Sequence, residues 1–459
     1  MALSSSTREQ DNDRLPFRTK LIYGLADWGN TTTTTIVGFF FLFFLTDIAL
    51  LPAKYTVPVL LIGTIWDAIN DPLIGVFADK VHTRWGRRRP FFLIGAIPFG
   101  LAFMMLWWIP PFTNPIMLMG YYTLAYILFD TTFTFVVVPY GALTPELTSN
   151  YDERTRLTGY RMAVSMAGGL IAAISVPILA DLFATPRTGY LVMAVVFGVL
   201  AMIPYFVLFF SIKERYTQRQ STHLSLIKSF LLTWKNRAFR YAAGIYVTSW
   251  MTVALVAALF QYYVTYWMGM ANQLEYLLGL VQFTALLCIP IVVAMSDKHG
   301  KTRTYIIGVF CWIIVMLALA FLPSSAHTLG YIIAALAGLG IAAAHVIPWS
   351  ILPDVIDQDE LETGSRREGT YYGFLVFLQK SGTALMLALI PMVLSLTGYV
   401  PNEVQNTNTL NAIRFMIGGI PAILLSLSIF FAWKFPITRE KFASIRREID
   451  ALHASERTS

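Results

Sequence analysis

The sequence predicts an all-α membrane protein whose twelve transmembrane helices form two pseudo-symmetric six-helix halves. Three observations carry this. Hydrophobic residues make up 56% of the 459 and charged residues only 13%, with a mean hydropathy of +0.59. A soluble globular chain carries about a quarter charged residues. The apolar residues fall into stretches of about 20, the length that crosses a bilayer core of about 30 Å. The basic residues gather between those stretches rather than on one face. The formal net charge of +7 is therefore orientation information and not the footprint of a nucleic-acid binder. The same composition excludes intrinsic disorder. A disulfide scaffold is excluded because the only cysteines, Cys288 and Cys311, both sit inside apolar runs.

Reading along the chain, spans are expected at 19–48, 56–79, 90–109, 115–142, 159–181, 190–212, 238–267, 273–295, 304–322, 328–352, 371–397 and 410–435. They divide the chain into a polar tail at 1–18, a bundle at 19–212, a central loop at 213–237, a second bundle at 238–435 and a tail at 436–459. The first tail, with Arg8, Arg14 and Arg18, has no apolar stretch of a cleavable signal. An even number of spans puts both termini on one side. The loops of that side carry Lys80, Arg84, Arg87, Arg88 and Arg89, then Arg154 and Arg156, then Lys298, Lys301 and Arg303, then Arg366 and Arg367. The opposite loops offer little beyond Lys54 and Arg187. The positive-inside rule places both termini in the cytoplasm of a multi-pass cell membrane protein, plasma or inner.

The two halves carry the same punctuation. After span 2 comes Asp79-Lys80 and then Gly86-Arg87-Arg88-Arg89; after span 8 comes Asp297-Lys298-His299-Gly300-Lys301-Thr302-Arg303. Span 4 ends in Pro139-Tyr140 and Pro145-Glu146, span 10 in Pro348-Trp349 and Pro353-Asp354. Two such halves indicate a parallel repeat, the arrangement of the major facilitator fold. The acidic-glycine-basic loops have a candidate task as a gate, with Asp79 and Arg88 in one half and Asp297 and Arg303 in the other. Carboxylates contribute little to topology, so Asp79 and Asp297 read as latch residues.

Charges inside a bilayer cost about 2.5–3.5 kcal/mol each even on the lenient insertion scale, so those present are functional candidates. Asp67 and Asp71 of span 2 are four apart and share a helix face. Two carboxylates that close need a cation between them, or one of them takes a proton. Asn70 adds an oxygen, and Na⁺ or H⁺ is the expected occupant, with Asp67 and Asp71 as the Na⁺ ligands. A structural pair satisfied by neighbouring helices is the plainer reading. Lys380 in span 11 is the natural counter-charge, and Gly382 beside it permits close helix approach. Asp27, Asn30 and Thr31 in span 1 are candidates for contact with the transported molecule, although the run Thr31 to Thr35 is expected mostly to bond its own backbone. Asp130 and Arg161 are further candidates, with an ion pair to the 145–156 loop as the alternative for Arg161. His345 in span 10 is a further candidate for the transported molecule, although a histidine there is more often a hydrogen-bonded packing residue than a ligand. Tyr262 belongs to an aromatic belt with Tyr266 and Trp267, or reaches the substrate.

These residues resemble the glycoside-pentoside-hexuronide:cation symporters, the melibiose-permease branch of the major facilitator superfamily. The strongest match is Ile65-Trp66-Asp67-Ala68-Ile69-Asn70-Asp71-Pro72-Leu73-Ile74-Gly75, continuing through Arg84-Trp85-Gly86-Arg87-Arg88-Arg89-Pro90. Supporting runs include Val138-Pro139-Tyr140, Tyr160-Arg161, Pro353-Asp354-Val355-Ile356-Asp357 and Lys380-Ser381-Gly382. The resemblance implies alternating access. It casts Asp67 and Asp71 as cation-site carboxylates, Thr134 as a nearby hydroxyl, Lys380 as the coupling lysine and Arg161 as a sugar-side arginine. The departures fall in the sugar site. Thr31 and Val137 stand where melibiose carriers place sugar-binding aspartates, and Gly141 and His345 where they place stacking tryptophans.

The expected function is symport of a sugar or sugar derivative with Na⁺ or H⁺. No other cofactor and no nucleic-acid partner is expected, and the protein is expected to be a monomer in the lipid bilayer. The alternative is a lysolipid or other amphiphile: animal lysolipid symporters share the Trp-Asp-Ala-Ile and Val-Pro-Tyr runs, and Val136, Val137 and Val138 suit an apolar tail. An enzyme is not expected. Asp67 and Asp71 as a hydrolytic dyad lack the glycine-aspartate signature of intramembrane proteases, and no His-Glu-x-x-His zinc motif is present.

Overall fold

A computed structural model describes residues 15–148, 151–212, 214, 226–364, 367–442, 444–445 and 447–449. Arg8, Arg14 and Arg366, most of the central loop and the ends of both tails lie outside the described residues. Among the described residues, twelve helices are long and apolar enough to cross a membrane. They are α1 (Phe17–Ile48), α2 (Ala53–Lys80), α3 (Arg89–Trp107), α4 (Pro115–Thr144), α5 (Arg156–Asp181) and α6 (Pro186–Ser211). The second set is α7 (Arg237–Trp267), α8 (Ala271–His299), α9 (Lys301–Phe321), α10 (His327–Thr363), α11 (Glu368–Leu396) and α12 (Thr407–Trp433). The chain forms two compact units, Met1–Ser221 and Thr222–Ser459.

Several helices outrun their apolar cores. The helix of α4 continues to Leu147 and that of α5 begins at Tyr151. Helix α10 passes the expected end at 352 and runs to Thr363, where Gly364 terminates it at φ +69°. Its last turns carry Asp354, Asp357, Asp359, Glu360 and Glu362, so this part of the helix belongs outside hydrocarbon.

The first membrane-spanning helix of each unit ends in a π-turn, Phe44–Ile48 in α1 and Tyr263–Trp267 in α7. The core of the first unit is aromatic: Trp107 stacks on Tyr190 with centroids 5.7 Å apart, beside Phe44 and Phe103. In the second unit a buried Tyr305 hydroxyl sits between Ser249 of α7 and Ser428 of α12. Such bonds satisfy polar groups that a bilayer could not.

Gly382 of α11 has the packing role expected of it. A Cβ there would fall 2.8 Å from Met251 Cγ and 3.1 Å from Val247 Cγ1, so α7 and α11 approach through its missing side chain.

Candidate functional site

In the first unit, α2 and α4 meet along a polar seam near the middle of both helices. Trp66 Nε1 donates to Thr131 Oγ1 at 2.8 Å, Asn70 Nδ2 to Asp130 Oδ2 at 3.3 Å, and Thr134 Oγ1 to Asp71 Oδ1 at 2.9 Å. From Trp66–Thr131 to Asp71–Thr134 the residue numbers rise together, as they do between helices running in one direction. Asn70, Asp130 and Thr134 are buried, whereas Asp67 and Asp71 keep part of their surface. Asp67, Asn70, Asp71 and Thr134 therefore occupy one neighbourhood, and Asp130, which the sequence marked without a role, joins it. Among the described residues no three His, Cys, Asp or Glu side chains converge as a metal centre. A cation here would need amide and hydroxyl oxygens beside the carboxylates, which suits a hard monovalent ion.

A second cluster links α1 to α5. Asp27, 2% exposed, accepts from Arg161 Nε at 3.1 Å, Asn30 Nδ2 at 3.0 Å and Thr31 Oγ1 at 3.4 Å. Thr31 also shares a 2.7 Å hydrogen bond with Ser165. Arg161 lies over the Tyr140 ring, 5.3 Å from its centroid, and keeps 28% of its side chain exposed. The α1–α5 cluster, not the 145–156 loop, is thus where Arg161 finds its ion pair. Asp27 is an anchor whose oxygens are already engaged; Arg161, Asn30 and Thr31 are the members with surface to offer. Thr32, Thr33 and Thr34 bond back to carbonyls of Trp28, Gly29 and Asn30, as their sequence context suggests.

In the second unit His345 donates from Nδ1 to the Ile341 carbonyl at 2.9 Å and packs against Trp250. Tyr262 is fully buried against Tyr266 and Tyr399, with centroids 6.5 and 5.8 Å away. It is a packing residue in this conformation. Lys380 sits half-buried at the middle of α11, next to Gln379, which accepts from the Tyr246 hydroxyl at 2.7 Å.

The family model for MFS/sugar transport proteins matches residues 22–439. The chain belongs to that family. It is 34% identical to an uncharacterized symporter of Synechocystis, over 96% of this chain and 97% of the relative. It is 29% identical to the isoprimeverose transporter of Lactiplantibacillus pentosus, over 90% and 87%. It is 27% identical to the sodium-dependent lysophosphatidylcholine symporter 1 of Gallus gallus, over 98% and 92%. The crystal structure of a D-xylose-proton symporter shares the fold, with TM-score 0.65 at 16% identity, covering 91% of this chain and 97% of that one. The protein is a multi-pass membrane transporter with the major facilitator fold.

The loop ends of this transporter hold ion-pair clasps. In the first unit Arg88 Nη2 donates to Asp79 Oδ1 at 2.6 Å and Arg88 Nε to Glu146 Oε1 at 3.2 Å. Burial pushes the Glu146 carboxyl above the ordinary carboxylate range, against the pull of Arg88. Glu214 caps the start of α3, accepting from the backbone N–H groups of Arg87, Arg88 and Arg89 at 2.7, 2.8 and 3.1 Å. Gly86 turns the chain into that cap at φ +111°, where a Cβ would strike the carboxylate at 2.5 Å. In the second unit Lys301 Nζ reaches Asp354 Oδ2 at 2.7 Å and the Ser350 carbonyl at 2.7 Å. Arg367 grips Asp359 nearby at 2.6 Å.

Asp297 and Arg303, the other two expected gate residues, form no such clasp among the described residues. Both are exposed, and among the described residues neither enters an ion pair. Lys301 and Arg303 both lie in the first turn of α9, and it is Lys301 that meets Asp354 of α10. The repeated element is a basic residue at a helix start held by the acid after the second proline: Arg88 with Glu146, Lys301 with Asp354.

Proposed function

We propose that the protein couples the movement of a cation, Na⁺ or H⁺, to that of a sugar or sugar derivative by alternating access. The observation that carries this reading is the α2–α4 seam, where Asp71 is oriented by a buried Thr134 and Asn70 by a buried Asp130. A carboxylate held in place yet partly open is fit to take and release an ion. Asp67, Asn70, Asp71 and Thr134 form the cation site, and Lys380 is the coupling residue. Arg161, Asn30 and Thr31 meet the solute, with Asp27 setting the guanidinium. The clasps Arg88–Glu146–Asp79 and Lys301–Asp354 close the end carrying the basic loops, which is the cytoplasmic end with both termini. The protein acts as a monomer in the bilayer.

The polar α1–α5 cluster favours a hydroxyl-rich solute, because a site built from buried donors and acceptors rejects molecules that leave them unpaired. The likeness to a lysophosphatidylcholine symporter supports an amphiphile as the second reading. Counterflow of radiolabelled mono- and disaccharides in proteoliposomes, run beside uptake of a fluorescent lysolipid, separates the two. Sugar counterflow that rises with Na⁺ or with a proton gradient supports the first; lysolipid uptake without any sugar counterflow replaces it with the second.

A further inference from the structure

A short helix, Leu226–Lys235, precedes α7 and has no task in the transport cycle described above. It is held to the start of α11 by aromatic rings. Phe230 stacks on Phe374 with centroids 4.8 Å apart and reaches Phe377 at 6.2 Å, while Trp234 meets Phe374 edge-on at 5.7 Å. Helix α11 starts at Glu368, so Phe374 lies about 9 Å along it at 1.5 Å per residue. Asn236 has extended backbone, with ψ 118°, and caps α7 by accepting from the Phe239 N–H at 3.1 Å. The short helix is therefore a separate element set at the end of the unit that carries the basic loops, not the first turns of α7.

Its two sides differ. Thr233 is fully buried, whereas Leu232 and Lys235, three apart and so on one side, are exposed, and Trp234 is exposed beside them. Arg237 and Arg240 in the first turn of α7 are exposed as well, and that turn carries no acid. Among the described residues none of Lys235, Arg237 and Arg240 enters an ion pair. Residues 213–240 hold seven basic side chains and a single acid, Glu214, which is spent on the start of α3.

We propose that this corner binds the headgroups of anionic phospholipids. Trp234 and Leu232 enter the boundary between headgroups and acyl chains, and Lys235, Arg237 and Arg240 meet the phosphates. An exposed indole and leucine beside free cations is the composition of a helix lying in the membrane interface. A basic cluster immediately before a membrane span adds the attraction of a negative surface. A soluble acidic partner would use the cations but give the apolar pair no hydrocarbon. A second copy of the chain would bring the same positive charge. The site is independent of which solute is carried, so it stands or falls apart from the sugar reading.

The test uses the full chain in a neutral detergent, titrated with dioleoyl phosphatidylglycerol and, separately, with dioleoyl phosphatidylcholine. The unfolding temperature should rise with the anionic lipid and much less with the zwitterionic one. That rise should shrink between about 0.1 M and about 1 M salt. A cation near such a surface is worth about fivefold in affinity, so Arg240→Gln should raise the half-maximal lipid concentration about fivefold. Lys235→Gln, Arg237→Gln and Arg240→Gln together should raise it roughly a hundredfold. The single variant and the salt series keep the test open if the triple variant fails to fold. Phosphatidylglycerol brominated on its acyl chains should quench tryptophan emission in the native protein and measurably less in Trp234→Phe. Equal responses to the two lipids, native affinity in the triple variant, or an unaltered quench in Trp234→Phe each overturns the site. The same rise with inorganic phosphate alone also overturns it, by assigning the cations to a free anion.

Discussion

The two units solve the middle of the membrane in different ways while sharing their loop ends. The first places charge there, Asp71 with Thr134 beside Asp130, and sets Asp27 with Arg161 nearer the starts of α1 and α5. The second places aromatic rings and neutral amides there: Trp250 with His345, and Tyr246 with Gln379. Both close their basic-loop ends with a cation at a helix start against a carboxylate after the second proline. A repeated chain can therefore keep the device that closes each half and let the midplane diverge.

The largest effect expected from breaking this contrast is at Asp71. Asp71→Asn keeps the size and one acceptor but removes the charge that a cation needs. Cation-dependent uptake should vanish while insertion and fluorescence-detected gel filtration stay native. Uptake that remains equally Na⁺- or pH-dependent would remove the seam from the coupling mechanism. Thr134→Val deletes only the hydroxyl that orients Asp71. A hydrogen bond to a charged group is worth about 1.5–3 kcal/mol, so the cation half-activation concentration should rise roughly ten- to a hundredfold. Equal effects on cation and sugar affinity would mean that Thr134 supports the bundle and not the ion.

The next effect compares the two clasps. Arg88 is 8% exposed and its partner Glu146 3%, whereas Lys301 is 34% exposed. Arg88→Ala strands a buried carboxylate, a loss of about 3–5 kcal/mol. Lys301→Ala breaks a pair that water already reaches, and about 1 kcal/mol is expected. Thermal unfolding in detergent should rank them in that order. A larger loss at Lys301 would show that the clasps differ by more than burial.

The sequence made the helices legible because spanning a membrane is a matter of apolar length, which composition reports directly. Asp67 and Asp71 were legible as well, since charge in an apolar run stands out. What stayed hidden was pairing across helices. Ser165, Trp250 and Glu214 look like ordinary members of their segments, and only the packing of α1 on α5, or α7 on α10, gives them partners. The gate shows the limit most clearly. Asp297 matches Asp79 by motif, but Asp79 meets Arg88 and Asp297 meets no described ion-pair partner. A signal for the true pair was present in the recurrence of proline followed by an acid, at Glu146 and Asp354. Thr134 was reachable only through resemblance, because one threonine among the four at 123, 131, 132 and 134 has no sequence mark of its own.

The smallest effect sharpens the contrast at the edge of the first unit. Glu153, 1% exposed, accepts from Lys20, from the Leu15 backbone N–H and from Arg156. Burial alone would raise its carboxyl, but these three donors together outweigh that and hold it below the ordinary value. A carboxylate depressed in the folded state contributes stability in full above its unfolded pKa and loses it as pH falls through the folded one. Mild acid should therefore loosen the junction of residues 15–20 with the start of α5 before it touches the α3–α6 core. Hydrogen exchange followed from neutral pH downward, corrected for intrinsic rates, should show that junction opening first below the ordinary carboxylate range. Glu153→Gln should show the open level already at neutral pH and lose the pH dependence. A junction that stays protected in that variant would assign its hold to the packing of Phe17 on Tyr160, centroids 5.9 Å apart, and not to charge.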